Sequence, residues 1–129
     1  MRVPLDTIEA FIAAFISAWP SGNADSLADF FTADAVYRNG PLDPVRGRSA
    51  IVVALASMME MGGTVRVDMV RAVAEGQVAM IERVDYLEVE GRTLTLPVLG
   101  VFEVIDGRVA AWRDYFDIGQ FIAQRALGA

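Results

Sequence analysis

The N-terminal part of the chain carries apolar residues at the spacing of an amphipathic helix. They recur three or four positions apart and so share one helix face: Ile8, Phe11, Ile12, Phe15, Ile16 and Trp19. Asp6 followed by Glu9 resembles a capping box at its start, and Pro20 ends it. Asn23 precedes a second helix as its cap. Such signals predict helices at residues 8–19, 24–31, 49–61 and 118–127.

Strand patterns dominate the second half of the chain. The joins between them, Glu75-Gly76, Glu90-Gly91 and Asp106-Gly107, are short and contain glycine, as antiparallel hairpins require. The predicted strands are residues 35–39, 64–74, 77–89, 92–105 and 108–117. Helices followed by a meander of strands predict a single α+β domain over residues 1–129, in which helices cover one face of a curved sheet.

Three of the predicted strands place polar side chains on the face that should pack in the core. Because side chains alternate along a strand, Arg83 and Asp85 share a face with apolar neighbours, and Asp114 does the same on the last strand. Tyr37 and Asn39 share a face of the first strand. An isolated buried charge is costly, so these side chains must meet one another. They form either a structural ion-pair network or the polar end of an apolar pocket, and the convergence of three strands favours the pocket.

Composition narrows the chemistry available to such a pocket. The 129 residues include no His and no Cys, which excludes disulfides, thiolate metal sites and nucleophiles activated by His. Hydrophobic residues make up 54% of the chain, a share that indicates an apolar cavity or a subunit interface. The net charge of −6 argues against nucleic acid or anionic membranes as partners. With no secretion signal and no apolar run long enough to cross a bilayer, we expect a cytoplasmic protein.

Two carboxylates that flank one guanidinium suit a paired acid and base. Burial and mutual repulsion raise the pKa of one carboxyl group so that it holds a proton, while the arginine keeps the other ionised. The pair then offers a proton donor and a proton acceptor together near neutral pH. This suits the opening of a strained ring, because the ring oxygen needs a proton as carbon receives a nucleophile.

Four segments between Val36 and Ile118 follow the motif order of one known family. They are Tyr37-x-Asn39 with the loop Pro41-Leu42-x-Pro44-Val45-x-Gly47, then Glu82-Arg83-Val84-Asp85, Val98-Leu99-Gly100-Val101-Phe102-Glu103-Val104 and Trp112-Arg113-Asp114-Tyr115-Phe116-Asp117. Together they resemble the limonene-1,2-epoxide hydrolases. That family belongs to a group of cone-shaped α+β folds that includes ketosteroid isomerases, polyketide cyclases and nuclear transport factor 2. The resemblance therefore implies a strongly curved mixed β-sheet with N-terminal helices packed on it, forming a cone with an apolar pocket.

The resemblance also implies a reaction and a role for each polar residue. Such an enzyme adds water to a cyclic or terpene-like epoxide in one step and gives a vicinal diol. Asp114 would hold the attacking water together with Tyr37 and Asn39, and would take its proton. Asp85 would protonate the epoxide oxygen, and Arg83 would bridge the two carboxylates. No cofactor, no metal and no covalent intermediate are implied, and the expected assembly is a homodimer.

Apolar residues near the polar cluster are candidates for the pocket wall. The first candidates for substrate binding are Leu55, Met59, Leu87, Leu96 and Phe116. Further candidates are Leu27, Phe30, Met58, Met69, Leu99 and Phe121. For each of them plain core packing is the alternative, because a Met or aromatic residue at regular spacing usually packs.

Other functions fit parts of the same pattern. A ketosteroid-isomerase-like proton-transfer enzyme needs a base beside an oxyanion hole, which Asp85 and Tyr37 imitate, but Arg83 has no role in that reaction. A non-catalytic lipophile-binding domain would tolerate Asp114→Asn with little loss of function. A Mg²⁺ site held by carboxylates is disfavoured, because Arg83 between them would repel the ion.

Overall fold

Six strands form one mixed sheet in the residues that this computed structural model describes, namely 7–20, 24–60 and 63–127. The strands are β1 (Phe31–Asn39), β2 (Val45–Arg46), β3 (Thr64–Glu75), β4 (Val78–Val89), β5 (Arg92–Ile105) and β6 (Arg108–Tyr115). Their order across the sheet is β2-β1-β6-β5-β4-β3. β1 runs parallel to β6, whereas the other neighbouring strands are antiparallel. The predicted mixed sheet is confirmed.

Tight turns join β4 to β5 and β5 to β6. In the first, Glu90 has φ 51° and Gly91 has φ 77°; in the second, Asp106 has φ 50° and Gly107 has φ 74°. Two successive residues with positive φ are typical of the two-residue hairpin turn whose twist matches that of the strands. The sequence signals at these joins therefore fix the pairing register that brings β4, β5 and β6 together.

The helices are α1 (Ile8–Ala18), α2 (Ala24–Leu27), α3 (Arg48–Glu60) and α4 (Ile118–Leu127). The Thr7 side chain caps α1 by accepting a hydrogen bond from the Ala10 N–H over 3.2 Å. The predicted caps Asp6 and Asn23 lie outside the described residues. A 3-10 turn over Ala28–Phe30 follows α2, so the predicted second helix is split. In the described ranges, no helix combines the length and apolar character needed to span a membrane.

The apolar core lies between the helices and the inner face of the sheet. Its fully buried members come from α1, α2, α3 and the strands, and include Ile12, Ile51 and Ile81. Trp112 of β6 occupies its centre, with ring contacts to Phe15, Trp19, Phe31, Tyr37 and Phe102. Because the inner face of β4 and β6 carries both this core and the polar cluster, core packing sets the positions of the polar side chains.

The start of β1 and the short β2 differ from the predicted strands. β1 begins at Phe31 rather than at residue 35, because Phe31 pairs with Val109 of β6 before the register shifts ahead of Val36. Asp34 interrupts the strand pattern in that stretch, because Asp has a low propensity for β-strands. Pairing with β6 outweighs this low propensity. β2 is too short to produce a sequence pattern and pairs only with Val36 and Tyr37.

Candidate active site

A cavity of about 430 Å³ lies between the inner face of the sheet, the C-terminal end of α3 and the helix α4. Most of its wall is apolar. Four polar side chains reach it from β1, β4 and β6: Tyr37, Asn39, Asp85 and Asp114. A concave, mostly apolar site with a few converging polar groups is the usual form of a small-molecule site.

Arg83 lies behind this wall and joins the two carboxylates. Its Nε and Nη2 donate to Oδ1 and Oδ2 of Asp85 over 2.9 and 3.3 Å. Its Nη1 and Nη2 donate to Oδ1 and Oδ2 of Asp114 over 3.0 and 2.7 Å. All three residues are buried, at 1%, 5% and 4% exposure for Arg83, Asp85 and Asp114. The planar guanidinium thus binds both carboxylates in the bidentate manner that a lysine cannot reproduce.

Gly100 of β5 has no side chain and therefore leaves room for the bridge between Arg83 and Asp114. It pairs with Ile81 of β4 on one side and with Asp114 of β6 on the other. A Cβ atom at Gly100 would lie 2.5 Å from Nη1 of Arg83 and 3.0 Å from Oδ1 of Asp114. The guanidinium end is held by hydrogen bonds on both sides and has little freedom to move away. A side chain at this position would therefore separate Arg83 from Asp114.

Tyr37 and Asn39 approach the carboxylates from β1. The parallel pairing with β6 sets Asn39 beside Asp114 and Tyr37 beside Trp112. Tyr37 is 1% exposed, and its hydroxyl has no hydrogen-bond partner within the part of the chain that the structure describes. Burial, and then the charge of Asp114, raises the pKa of Tyr37 well above its ordinary value. The hydroxyl therefore stays protonated and is available to a molecule in the cavity.

Burial sets the protonation preference of Asp85. Removal from water raises the pKa of Asp85 above its ordinary value, and the attraction of Arg83 only partly opposes this effect. The charge of Asp114 adds to the increase. For Arg83 burial acts to lower the pKa, but the charges of Asp114 and Asp85 outweigh burial and raise it. The cluster thus combines a permanent cation with a carboxyl group inclined to hold a proton.

Comparison with known proteins agrees with this geometry. Residues 3–126 match the family model described as the limonene-1,2-epoxide hydrolase catalytic domain. The chain belongs to this family. The resemblance drawn from the motifs is confirmed.

One curated relative and two solved structures illustrate the relationship. The chain is 34% identical over 108 residues to epoxide hydrolase EphG, an alignment that covers 83% of this chain and 71% of EphG. The solved structure of an M. tuberculosis LEH-like epoxide hydrolase superposes with a TM-score of 0.82 at 31% identity, over 95% of this chain and 92% of that one. A protein of ketosteroid isomerase-like fold from Catenulispora acidiphila also gives a TM-score of 0.82, at 22% identity and over 92% and 93% of the two chains. The last similarity shows the shared cone-shaped fold.

In this member of the limonene-1,2-epoxide hydrolase family, four of the five first wall candidates line the cavity: Met59, Leu87, Leu96 and Phe116. Leu55 does not line it. Leu55 lies one helical turn before Met59 on α3, and that turn is buried in the core, with Leu55 at 1% exposure. A face of α3 that is apolar throughout does not reveal where the core ends and the cavity begins.

The further wall candidates divide in the same way. Met58 and Phe121 line the cavity, whereas Leu27 is buried in the core and Phe30 packs against it. Met69 and Leu99 are more than two-fifths exposed and lie away from the cavity. Wall residues that the sequence did not single out include Trp19, Val98 and Ile118. The place of Val98 in the wall could have been predicted, because Val98 lies two positions after Leu96 and shares its strand face.

Trp112 is a polar partner of Asp114 that was not among the site residues predicted from the sequence. Its Nε1–H donates to Oδ1 of Asp114 over 2.6 Å, in a fully buried contact. The signal was present, since Trp112 and Asp114 are two positions apart on β6 and therefore share a face. Within the described ranges, no group of three or more acidic, His or Cys side chains is arranged to hold a metal ion.

Proposed function

We propose that this protein is an epoxide hydrolase that adds water to a cyclic or terpene-like epoxide and gives a vicinal diol. The observation that supports the proposal most is the Arg83 bridge between two buried carboxylates at the end of an apolar cavity. Family membership agrees with it. The reaction needs a proton acceptor for water and a proton donor for the epoxide oxygen, and Asp114 and Asp85 supply these two functions.

In the proposed reaction Asp114 activates water from the β1 side of the site. Asn39 lies beside Asp114 in the sheet, and the Tyr37 hydroxyl borders the same cavity. Together the three side chains hold one water molecule. As the water oxygen bonds to an epoxide carbon, Asp114 accepts a proton from that water.

Asp85 acts on the epoxide oxygen. Its raised pKa favours the protonated form that the ring opening requires. As the carbon–oxygen bond breaks, Asp85 gives its proton to the departing epoxide oxygen, so the product is a neutral diol. The proton held by Asp114 then returns to Asp85 through solvent, and the enzyme is reset. Neither a cofactor nor a covalent intermediate is needed.

Apolar side chains provide the remainder of the substrate site. Leu87 and Leu96 lie on β4 and β5, Phe116 directly follows the end of β6, and Met59 approaches from α3. They offer no hydrogen bonds to a substrate. We therefore infer that a hydrocarbon skeleton binds against them and that its epoxide oxygen is the part that meets the polar cluster.

We also propose that the protein acts as a homodimer. The outer face of the sheet, opposite the core, carries adjacent apolar side chains that are exposed in the single chain. Val73 pairs with Met80 across β3 and β4, and Leu99 pairs with Tyr115 across β5 and β6. Their exposed fractions range from 41% to 57%. A second copy of the chain would cover this outer face.

The experiment that tests the proposed function is a screen of the purified protein against cyclic and terpene epoxides, with diol formation as the readout. The wild type is expected to form diol. Asp114→Asn, Asp85→Asn and Arg83→Lys are each expected to reduce turnover by at least roughly a hundredfold, the low end for acid–base groups. The matched control is Asp106→Asn, at an exposed turn position where asparagine tolerates the positive φ. Failure of the wild type on every epoxide, or near-normal turnover in all three variants, would show the proposal to be wrong.

A further inference from the structure

The indole of Trp112 makes a short hydrogen bond to the carboxylate that we propose as the base. Nε1 of Trp112 lies 2.6 Å from Oδ1 of Asp114, and Nη1 of Arg83 lies 3.0 Å from the same oxygen. Trp112 and Asp114 are 0% and 4% exposed. A hydrogen bond from a neutral donor to a buried carboxylate is stronger than one between neutral groups. The contact is therefore a substantial restraint on the orientation of this carboxylate.

The two oxygens of Asp114 differ in the number of hydrogen bonds that they accept. An ionised carboxylate offers about four lone-pair sites, two on each oxygen. Oδ1 accepts from both Arg83 and Trp112, whereas Oδ2 accepts from Nη2 of Arg83 alone in the hydrogen bonds of the described residues. Both lone-pair sites of Oδ1 are therefore occupied by these two hydrogen bonds. Oδ2 is the oxygen that keeps a lone pair for the proton of water.

Trp112 is itself firmly held, so it can act as a fixed reference for Asp114. Phe15 and Trp19 contact its ring edge-to-face, with centroids 5.1 and 5.4 Å away. Phe102 stacks on it at 5.5 Å. Tyr37, which we propose as a ligand of the same water, stacks on it at 4.2 Å. One rigid indole therefore contacts both the proposed base and one of the groups that hold its water.

We propose that Trp112 is a positioning residue that fixes the carboxylate of Asp114 through Oδ1 and leaves Oδ2 to accept the proton of water. The inference rests on the proposed epoxide hydrolase function. The simpler alternative is that the buried indole N–H uses Asp114 only as a convenient acceptor, because a buried tryptophan N–H usually finds a partner. The two accounts differ in their kinetic consequences.

Trp112→Phe removes the donor and keeps an aromatic ring. The inference predicts that kcat falls by roughly ten- to a hundredfold, the equivalent of one hydrogen bond to a charged group, while KM changes little. The control is Phe31→Leu, which truncates another buried ring that stacks on Trp112 and lacks a donor. That variant should lose stability, while its kcat falls much less than that of Trp112→Phe.

A second measurement keeps the inference testable if Trp112→Phe does not fold. The chain has two tryptophans, so two indole N–H signals are expected in a proton–nitrogen NMR spectrum. The Trp112 signal in the folded protein should lie downfield and resist exchange with solvent. In Asp114→Asn it should move upfield, because a neutral amide is the weaker acceptor. The Trp19 signal serves as the internal reference.

The outcomes distinguish this inference from the proposed function. A wild type without epoxide hydrolysis refutes the function on which the inference rests. An active wild type together with an unchanged kcat in a folded Trp112→Phe variant overturns the inference alone. An indole signal that does not respond to Asp114→Asn overturns it as well.

Discussion

Each buried charge of the cluster depends on its partners. Arg83 donates four hydrogen bonds to Asp85 and Asp114. A buried ion cluster of this kind is weak evidence for stability, because removing the charges from water offsets much of their attraction. Its presence on a face that otherwise packs a core is easier to explain by chemistry than by folding. The raised pKa of Asp85 allows a test of this view.

The stability of the wild type should fall with rising pH because of Asp85. Its pKa is raised above the ordinary value of 3.8, so the folded state binds this proton more tightly than the unfolded state. The contribution of Asp85 to the free energy of unfolding is fully present below pH 3.8 and is lost as the pH rises through its folded-state pKa. The Asp85→Asn variant has no carboxyl group at this position, so its free energy of unfolding does not show this decrease. The stability of the variant relative to the wild type should therefore increase between acid and mildly alkaline pH.

Urea denaturation of the two proteins across that pH range measures the difference directly. Asp106→Asn, at an exposed turn, should run parallel to the wild type. Parallel curves for Asp85→Asn as well would mean that burial does not control the protonation of Asp85, and the role of Asp85 as proton donor would lose its physical basis.

Residue patterns in the sequence revealed which side chains meet but not how they bond. Alternation along β4 and β6 was enough to place Arg83, Asp85 and Asp114 on the inner face, where they are buried. The hydrogen bond from Trp112 depends on ring orientation within the aromatic core, which alternation does not specify. The need for Gly100 depends on the distance between β4 and β6, and this distance appears only when the strands are paired.

Among the elements, the long strands were predictable and the short ones were not. Turns with left-handed residues mark the ends of β4 and β5 clearly, and both lie close to their predicted bounds. β2 has two residues, and its pairing with β1 is decided by tertiary contact. The bounds of α4 and the place of Phe121 in the cavity wall were predicted. The position of the whole helix over the cavity was not, because a helix pattern does not show which surface the helix covers.

α4 covers part of the cavity and is fastened to β5. It contributes Ile118 and Phe121 to the wall. The Gln124 side chain accepts from the Thr95 N–H over 2.9 Å and donates to the Thr95 carbonyl over 2.7 Å. β6 pairs with β5 only from Leu99 onwards, so this side chain takes the place of a neighbouring strand. Loss of the contact should allow α4 to move away from the cavity.

Gln124→Ala is therefore expected to weaken substrate binding. Two hydrogen bonds in a half-exposed position support an increase in KM of roughly two- to tenfold for an apolar epoxide, with a smaller effect on kcat. Steady-state kinetics measures both values. Gln120→Ala is the matched control, since Gln120 is an exposed glutamine on the same helix and does not line the cavity. Equal KM values for Gln124→Ala and the control would show that this contact does not hold the wall in place.

At the scale of the whole molecule, the two faces of the sheet are unequal. The inner face carries the core and the cavity, and the outer face carries rows of neighbouring side chains that include charged and apolar members. Glu82, Leu99 and Tyr115 lie side by side across β4, β5 and β6. The high apolar share of the sequence suggested such a surface, but composition alone did not show on which side it lies.

The outer face predicts a dimer in solution. Light scattering should give twice the mass of one chain across the micromolar range. Leu99→Lys, which sets a charge in the middle of the outer face, should shift the protein to monomer. Val53→Lys changes a residue that is 66% exposed on α3 and should leave the dimer intact. A wild type that is monomeric throughout the micromolar range would contradict the proposed assembly.

The central claim is that water attacks the epoxide directly, with Asp114 as base and Asp85 as acid. A single turnover with enzyme in excess, run in ¹⁸O-labelled water, tests it most directly. If an ester formed with Asp114, the first diol would carry an unlabelled carboxylate oxygen, and the label would remain on the enzyme. The chain also has no His to activate a water that would hydrolyse such an ester. Our account predicts the label in the first diol and none in the protein, and an unlabelled first diol with label on Asp114 would contradict it.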